Sequence, residues 1–183
     1  IDLGDYTHLI IDGKLTLGDD VNKNVLRLGS HNILEGGIID GNRDKNTDTT
    51  ETLNHGIYVE GHFNLIKDIT VSYCRRANIK VLGTENQVVN VISTYSHEAA
   101  MKISGTNNLV VGGYYGGSQY GLYVYADGNR IVGVRTENNA DYNLRLENAE
   151  YCVVVGNRFD TCGKHNVYIA YASRNIIVGN TVR

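Results

Sequence analysis

The feature that most constrains this chain is a short apolar triplet that recurs along its length at a nearly fixed spacing. Each copy has an apolar residue, a variable residue and a second apolar residue. After a first interval of 31 residues, the steps between copies are 22, 22, 21, 22 and 23 residues. Such a period predicts a stack of similar small units. The copies are Leu26–Leu28, Ile57–Val59, Ile79–Val81, Met101–Ile103, Leu122–Val124, Leu144–Leu146 and Val167–Ile169.

A second motif follows every triplet in the same register. It begins with Asn in all copies but one, has an apolar residue two positions later, and has Gly, Asp or Asn two positions after that. Gly, Asp and Asn tolerate the left-handed backbone of tight turns, so the motif predicts a short strand ended by a turn. Its first residues are Asn32, Asn64, Asn86, Asn108, Asn129, Cys152 and Asn175.

A unit of about 22 residues cannot bury its own apolar face, but stacked units form parallel sheets whose inward side chains align in columns. Leucine-rich repeats have a similar period, but their leucine signature and helical half are missing here. A β-sandwich would show no fixed register across seven copies. We therefore predict one all-β domain over residues 1–183, a single-stranded parallel solenoid of about seven coils, with an insertion loop at 42–53.

Three segments carry a resemblance to a known family. They are NIIVGNTVR at the C-terminal end, GGIIDGNR at Gly36–Arg43 and HGIYVEGHFNLIKDITV at His55–Val71. They resemble repeats of the right-handed parallel β-helices in the pectin-lyase-like superfamily. That superfamily includes polysaccharide lyases, polygalacturonase-like hydrolases, uronate epimerases, phage tailspike depolymerases and archaeal surface proteins. The resemblance implies a right-handed β-helix with a carbohydrate-related role.

The resemblance does not extend to a catalytic mechanism. The hydrolase signatures NTDG, DD, GHG and RIK are absent apart from the fragment IIDGN, and the epimerase tetrapeptide DPHD is absent too. No catalytic residue of those enzymes can therefore be assigned to a position in this chain.

Alternation within the triplet points its flanking residues inward and its middle residue outward. The outward residues form one column, the stripe, with neighbours about 4.8 Å apart. Cations and tyrosines in a row suit an acidic polysaccharide, because cations pair with acidic groups and rings stack on sugars or cations. A solvated sheet face explains the same residues equally well. The stripe comprises Arg27, Tyr58, Lys80, Lys102, Tyr123, Arg145 and Tyr168.

A second group of outward residues follows the Gly-containing turns and suggests a catalytic site. Two arginines, carboxylates and a histidine in nearby coils are the groups that would bind a uronate and move a proton. A ladder of surface ion pairs is the simpler alternative, and we favour it. The candidate residues are Arg135, Glu137, Arg158, Asp160, His97 and Glu98.

The insertion loop and the segment before it contain oxygen ligands at the spacing of an EF-hand calcium loop, positions 1, 3, 5, 7, 9 and 12. Lys45 stands where that loop has an invariant Gly, and no flanking helices are predicted. A solvated Asp- and Asn-rich loop is therefore favoured over a calcium site. The candidate ligands are Asp40, Asn42, Asp44, Asn46, Asp48 and Glu51.

Composition narrows the functional classes further. The net charge of -3 does not fit a general nucleic-acid binder. No apolar run approaches the ~20 residues that membrane insertion requires. Column positions keep Cys74, Cys152 and Cys162 apart, so we expect three free thiols.

We expect a secreted or cell-surface domain that binds an acidic polysaccharide. If the domain is catalytic, it would cleave or epimerise that polysaccharide, and a polysaccharide lyase or glycoside hydrolase is favoured. The alternative is a non-catalytic shaft or adhesin of a surface or phage tailspike protein. We also expect the domain to belong to a longer protein, because parallel strands at the two ends need further sequence or an oligomer contact to cover them.

Overall fold

The computed structural model describes residues 1–183, and all of its regular elements are short β-strands. It contains no helix of the length and apolarity needed to cross a membrane. In chain order, the strands of the first four coils are β1 (Asp2–Leu3), β2 (His8–Ile10), β3 (Lys14–Thr16), β4 (Leu26–Leu28), β5 (Ile33–Glu35), β6 (Ile38–Asp40), β7 (Ile57–Val59), β8 (Leu65–Lys67), β9 (Thr70–Ser72), β10 (Ile79–Val81), β11 (Gln87–Val89) and β12 (Ile92–Thr94).

The last four coils continue the same succession of three strands per coil. Their strands are β13 (Ala99–Ile103), β14 (Leu109–Val111), β15 (Tyr114–Gly116), β16 (Tyr120–Val124), β17 (Arg130–Val132), β18 (Arg135–Glu137), β19 (Tyr142–Glu147), β20 (Val153–Val155), β21 (Arg158–Phe159), β22 (His165–Ala170), β23 (Ile176–Val178) and β24 (Thr181–Val182).

Each coil contributes one strand to each of three parallel, eight-stranded sheets. Sheet A begins with β1, sheet B with β2 and sheet C with β3, and every third strand joins the same sheet. The structure therefore has eight coils, close to the expected seven. The additional coil begins at the triplet Ile1-Asp2-Leu3, in which Asp2 lies opposite Arg27 of β4.

The core is a column of apolar side chains enclosed by the three sheets. In sheet A both flanking residues of a triplet point inward, as Leu26 and Leu28 do in β4. In sheets B and C the middle residue is the inward one, as Val88 is in β11 and Tyr115 is in β15. Thirty-two buried residues form one continuous cluster. Cys74 and Cys152 are buried, and all three cysteines are free, as expected.

Buried asparagines connect the coils at the turn between sheets A and B. The side-chain oxygen of Asn86 accepts a hydrogen bond from the backbone N–H of Asn64 at 2.9 Å, and Asn108 accepts one from the N–H of Asn86 at 2.8 Å. The amide group of Asn86 donates to the carbonyl of Gly61. The same pattern runs from Asn32 to Asn129, and we call this column the asparagine ladder.

The residue before each ladder position adopts a left-handed backbone, with φ between 55° and 70° in all eight coils. Several of these residues are bulky, although positive φ is unfavourable for such side chains. Tyr6, His31 and Phe63 occupy this position in the first three coils, and their rings stack with centroids 4.7 and 5.2 Å apart. The ladder and the ring stacking together hold this strained turn in place.

Replacing Asn86 with Ala should destabilise the fold, because it leaves the buried N–H of Asn64 and the carbonyl of Gly61 without their side-chain partner. Such orphaned groups cost about 1–3 kcal/mol each, so urea unfolding should show a loss in that range or above. The neighbouring exposed side chain of Gln87 provides the control, and Gln87→Ala should change stability by less than about 0.5 kcal/mol. Equal stability of the two variants would contradict a structural role for the ladder.

Candidate functional site

The stripe lies on the outer face of sheet A in the predicted register. Tyr58 is opposite Lys80, Lys80 is opposite Lys102, and Lys102 is opposite Tyr123. The column continues through Arg145 to Tyr168 and begins at Arg27. All seven side chains therefore share one column, and neighbouring strands place them about 4.8 Å apart.

The insertion loop covers part of the stripe. The carboxylate of Glu51 reaches across sheet A and forms ion pairs with Lys80 and Lys102, the latter at 2.8 Å. It also pairs with Arg76, which precedes β10. As a result Tyr58 is only 3% exposed and the side chain of Lys80 only 5% exposed. The stripe is therefore accessible mainly on the C-terminal side of the loop.

The cations around Glu51 fix its charge state. Partial burial alone would raise the pKa of Glu51, but hydrogen bonds and charge interactions with Lys102 and Lys80 outweigh it and lower the pKa to about 2. The carboxylate is therefore ionised across the ordinary pH range, and its ion pairs hold the loop against sheet A.

His55 anchors the loop where it rejoins sheet A. Its ring is buried and stacks on Tyr58, with centroids 5.4 Å apart. One ring nitrogen faces the carbonyl of Ala77 at 3.1 Å and the other faces the carbonyl of Glu51 at 3.0 Å. Burial lowers the pKa of His55 to about 4, even though the two carbonyl oxygens act in the opposite direction.

The open half of the stripe lines a cleft of about 500 Å³ beside the insertion loop. Glu51 forms one side, and the floor is made by outward residues of β13, β16 and β19 and the residues that follow them. The lining residues are Glu51, Lys102, Ser104, Tyr123, Tyr125, Arg145, Glu147 and Asn148.

Arg145 lies at the centre of an aromatic cluster in this cleft. Its guanidinium carbon is 4.7 Å from the ring centroid of Tyr123 and 5.3 Å from that of Tyr120. The rings of Tyr142 and Tyr168 are within 6 Å of the same carbon and stack on each other at 4.8 Å. Cation–π contact with four rings holds the guanidinium in a fixed position.

The charged groups of the cleft are paired with one another. Arg145 forms a 2.7 Å ion pair with Glu147, and the hydroxyl of Tyr123 donates to the same carboxylate at 2.6 Å. Lys102 pairs with Glu98 as well as with Glu51. Burial and the bond to Glu147 both raise the pKa of Tyr123, so its hydroxyl keeps its proton. The cleft offers a tyrosine proton donor, carboxylate acceptors and cations on one surface.

The six candidate catalytic residues do not form one site. Arg135 pairs with Glu137 at 2.6 Å, and Arg158 pairs with Asp160 at the same distance. Arg135 also approaches Asp160 at 3.5 Å, so these four residues form an ion-pair ladder on the outer face of sheet C. This arrangement is the alternative favoured from the sequence.

The other two candidates lie elsewhere, at the turn between sheets C and A. Glu98 pairs with Arg76 and Lys102 beside the insertion loop. His97 follows β12 in the turn preceding β13, and its backbone N–H donates to Cys74. Neither residue contributes to the ladder on sheet C.

The six candidate calcium ligands also point in different directions. Asp40 pairs with Lys14 at 2.7 Å, and Glu51 faces three cations. Asn46 donates to Gly18 and Asn42, and Asp48 accepts from Thr50. Asp44 is largely exposed. The structure brings no three acidic, histidine or cysteine side chains together as a metal-binding group, and the calcium site stays a prediction.

Several residues in or around the cleft were not among the candidate site residues chosen from the sequence. Tyr120 and Tyr142 stack face to face at 5.7 Å and continue to His165, and all three lie two residues before a triplet. That shared position was the available signal. Arg76 and Glu147 had no such signal, because their importance comes from partners on other coils.

Three parallel sheets, a buried asparagine ladder and an outer cleft define a parallel β-helix domain. A family model described as the right handed beta helix region matches residues 55–183, and the chain belongs to that family. The match confirms the parallel solenoid expected from the repeats and the right-handed β-helix that the family resemblance implies. No protein among the curated sequences matches the chain significantly.

Two solved structures match the chain on superposition. The Dettilon tailspike protein (gp208) superposes with a TM-score of 0.58 at 15% identity, covering 99% of this chain and 54% of the tailspike chain. The A-module of the Azotobacter vinelandii mannuronan C-5 epimerase AlgE6 has a TM-score of 0.43 at 11% identity, covering 100% and 85%. The chain thus spans about half the length of the tailspike chain.

The depressed pKa of His55 predicts a loss of stability on mild acidification. The unfolded ring binds a proton near pH 6.5 and the folded ring only near pH 4. Stability is therefore complete above pH 6.5 and falls as the pH drops to 4, by up to about 3 kcal/mol. Denaturant unfolding at several pH values should show this slope. His55→Gln should flatten it, whereas His62→Gln, at an exposed position, should leave it unchanged.

Glu51→Gln should release the insertion loop, because a neutral amide cannot compensate three cations. We expect a loss of about 1–3 kcal/mol, since Lys80 is left as a poorly paired buried charge. Lys80 should also become reactive toward an amine acetylating reagent, which peptide mass spectrometry can measure. Glu85→Gln, at an exposed carboxylate, is the matched control. If Lys80 were as unreactive in the Glu51 variant as in the parent, the ion pairs of Glu51 would not be what holds the loop over Lys80.

Proposed function

We propose that this domain binds a polysaccharide chain along the outer face of sheet A, in the cleft beside the insertion loop. The observation that carries the proposal is the fixed position of Arg145 among four tyrosine rings on an accessible cleft. Rings held in this way provide apolar surface for sugar faces, and Arg145 and Glu147 provide directional hydrogen-bonding groups for hydroxyls.

The direction of the stripe suits an extended polymer. Lys102, Tyr123, Arg145 and Tyr168 occupy four successive rungs, a length of about 14 Å at the usual spacing between strands. A chain lying parallel to the axis of the β-helix would meet one of these side chains on each rung. Repeated weak contacts of this kind add up along a polymer.

Glu51 supports an acidic polymer as the ligand. Its carboxylate occupies the space between Lys80 and Lys102, which shows that these cations accept a carboxylate in this geometry. Glu51 belongs to a loop and is half exposed, so a uronate carboxylate can compete with it for Lys102. The contact would be charge-assisted and therefore sensitive to ionic strength.

Catalysis remains a prediction beyond this binding function. The Tyr123 hydroxyl and the Glu147 carboxylate, 2.6 Å apart beside Arg145, are the groups in the cleft able to move a proton. A lyase would release unsaturated products together with new reducing ends, and a hydrolase would create new reducing ends without unsaturation. Incubation with a panel of uronic-acid polymers, with both products measured, tests for each activity.

A non-catalytic shaft of a secreted or surface protein is the second candidate. It is favoured by the ion-pair ladder on sheet C, where the charges of Arg135, Glu137, Arg158 and Asp160 satisfy one another. The tailspike protein of similar fold shows that such a solenoid occurs within a tailspike. A shaft with a sugar-binding face would combine the two roles.

The binding proposal predicts that Lys102→Gln with Arg145→Gln weakens binding to a uronic-acid polymer at least tenfold and removes most of its salt dependence. Lys80 is left intact because it is buried. The control is Lys23→Gln with Arg130→Gln, which removes two exposed cations that have no ion pair. Isothermal titration calorimetry measures both, and urea unfolding checks that the variants are folded. Equal binding by the two double variants would contradict the binding proposal, and so would a parent protein that binds no polymer. Either result would leave the non-catalytic shaft as the function.

A further inference from the structure

A second charged region lies at the corner where sheet C turns into sheet A, away from the cleft. Arg43, Arg75 and His97 occupy three successive turns there, after β6, β9 and β12. Backbone bonds place the turns side by side: Arg43 donates to Tyr73 at 2.9 Å, and His97 donates to Cys74 at 3.0 Å. We call these three residues the basic corner.

Apart from the exposed Asp44, the carboxylates at this edge pair with cations outside the basic corner. Glu51 and Glu98 form ion pairs with Arg76, Lys80 and Lys102. These three cations outnumber the two carboxylates, so no negative charge is left over for the corner.

The corner itself has little compensation. Arg43 has only the exposed Asp44, at 3.7 Å. Arg75 makes no ion pair or hydrogen bond, and its Nε is a buried donor without an acceptor. Buried donors normally have a partner, and the chain provides none here, so this donor is available to an acceptor on a bound anion.

The positive charge of neighbouring arginines affects the pKa of His97. Burial lowers the pKa of its imidazole, and the positive charges of Arg75, Arg43 and Arg76 lower it further, against the opposing effect of Glu98. Backbone hydrogen bonds make the turns that carry these groups neighbours, and the corner has an excess of positive charge in a chain whose net charge is -3.

The guanidinium of Arg43 is held in place by its surroundings. Its Nη1 donates to the carbonyl of Tyr95 at 2.5 Å, and its carbon lies 5.5 Å from the ring centroid of Tyr73. The rings of Tyr73 and Tyr95 stack at 5.4 Å. A guanidinium fixed in this way loses little entropy on binding, and its remaining donors match the geometry of an oxyanion.

We infer that the basic corner binds an oxyanion, a carboxylate, sulfate or phosphate group, between Arg43 and Arg75, with the imidazole of His97 at its side. The anion would supply the acceptor that the Nε of Arg75 lacks and would relieve repulsion among the cations. The site goes beyond the proposed function, because its residues are separate from the cleft. Its oxyanion can come from an acidic polysaccharide or from a free inorganic ion.

The test is a titration of the folded chain with sodium sulfate, sodium phosphate or a uronic-acid trisaccharide at constant ionic strength. The readouts are the His97 imidazole signals in NMR spectra and the melting temperature. Sulfate stabilises proteins generally, so the temperature shift counts only where the His97 signals also saturate. A trisaccharide that saturates at tenfold lower concentration than the inorganic ions identifies a polymer as the source, and equal or weaker binding identifies a free anion.

Arg75→Gln should weaken the response of His97 at least fivefold without loss of stability, because it removes an unpaired cation. Arg130→Gln, at an exposed arginine without an ion pair, is the matched control and should respond as the parent does. The double variant Lys102→Gln with Arg145→Gln should keep the response, which separates this site from the cleft. Absence of saturation with all three anions, or a parental response in Arg75→Gln, would overturn the inference.

Discussion

The hydrogen bond from each ladder asparagine to the backbone of the preceding coil is the interaction on which the rest of the structure depends. The turn between sheets A and B is tight, and its left-handed residue interrupts the strand, so the buried N–H of the asparagine that follows needs a side-chain acceptor. The asparagine side chain provides both an acceptor and a donor for the preceding coil, and its backbone N–H donates to the asparagine of the next coil, so each ladder residue links three coils. This sets the register between coils, and the register in turn places every outward side chain in its column.

A fixed register has a cost on the outer faces, because like residues of successive coils come to lie directly above one another. The protein meets this cost in two ways. On sheet C, a column of arginines lies beside a column of carboxylates, and each charge has a neighbour within the sheet. On sheet A, Lys80 stands directly opposite Lys102, and the compensating carboxylate comes from Glu51 in the insertion loop. The loop thus makes the lysine column possible and also covers the stripe at Tyr58 and Lys80, which separates the exposed Arg27 from the members on the last four coils.

The sequence predicts the fold well because repetition reports the columns directly. The triplets, the asparagine motif and the inward and outward positions all follow from periodicity and alternation. The site is less predictable for a physical reason. Lys80 is outward by register yet buried, because a segment 29 residues earlier folds over it. Glu51 has the spacing of a calcium ligand, but its partners are cations on three later turns and strands. Contacts made by an insertion have no period, so the repeat contains no information about them.

The same reasoning explains why the basic corner differs from the other charged regions. At the edge between sheets C and A, Arg43, Arg75, Arg76, Lys80 and Lys102 face Glu51 and Glu98, with Asp44 exposed at the margin. The two carboxylates lie on the side of sheet A and form ion pairs with Arg76, Lys80 and Lys102. Stacking of the turns brings Arg43, Arg75 and His97 together, while the backbone offers Arg43 a carbonyl and Arg75 nothing. On the outer faces of sheets A and C, stacked charge is balanced by side chains of the protein itself. At the corner that balance is missing, and an oxyanion from solution is the partner whose chemistry completes it.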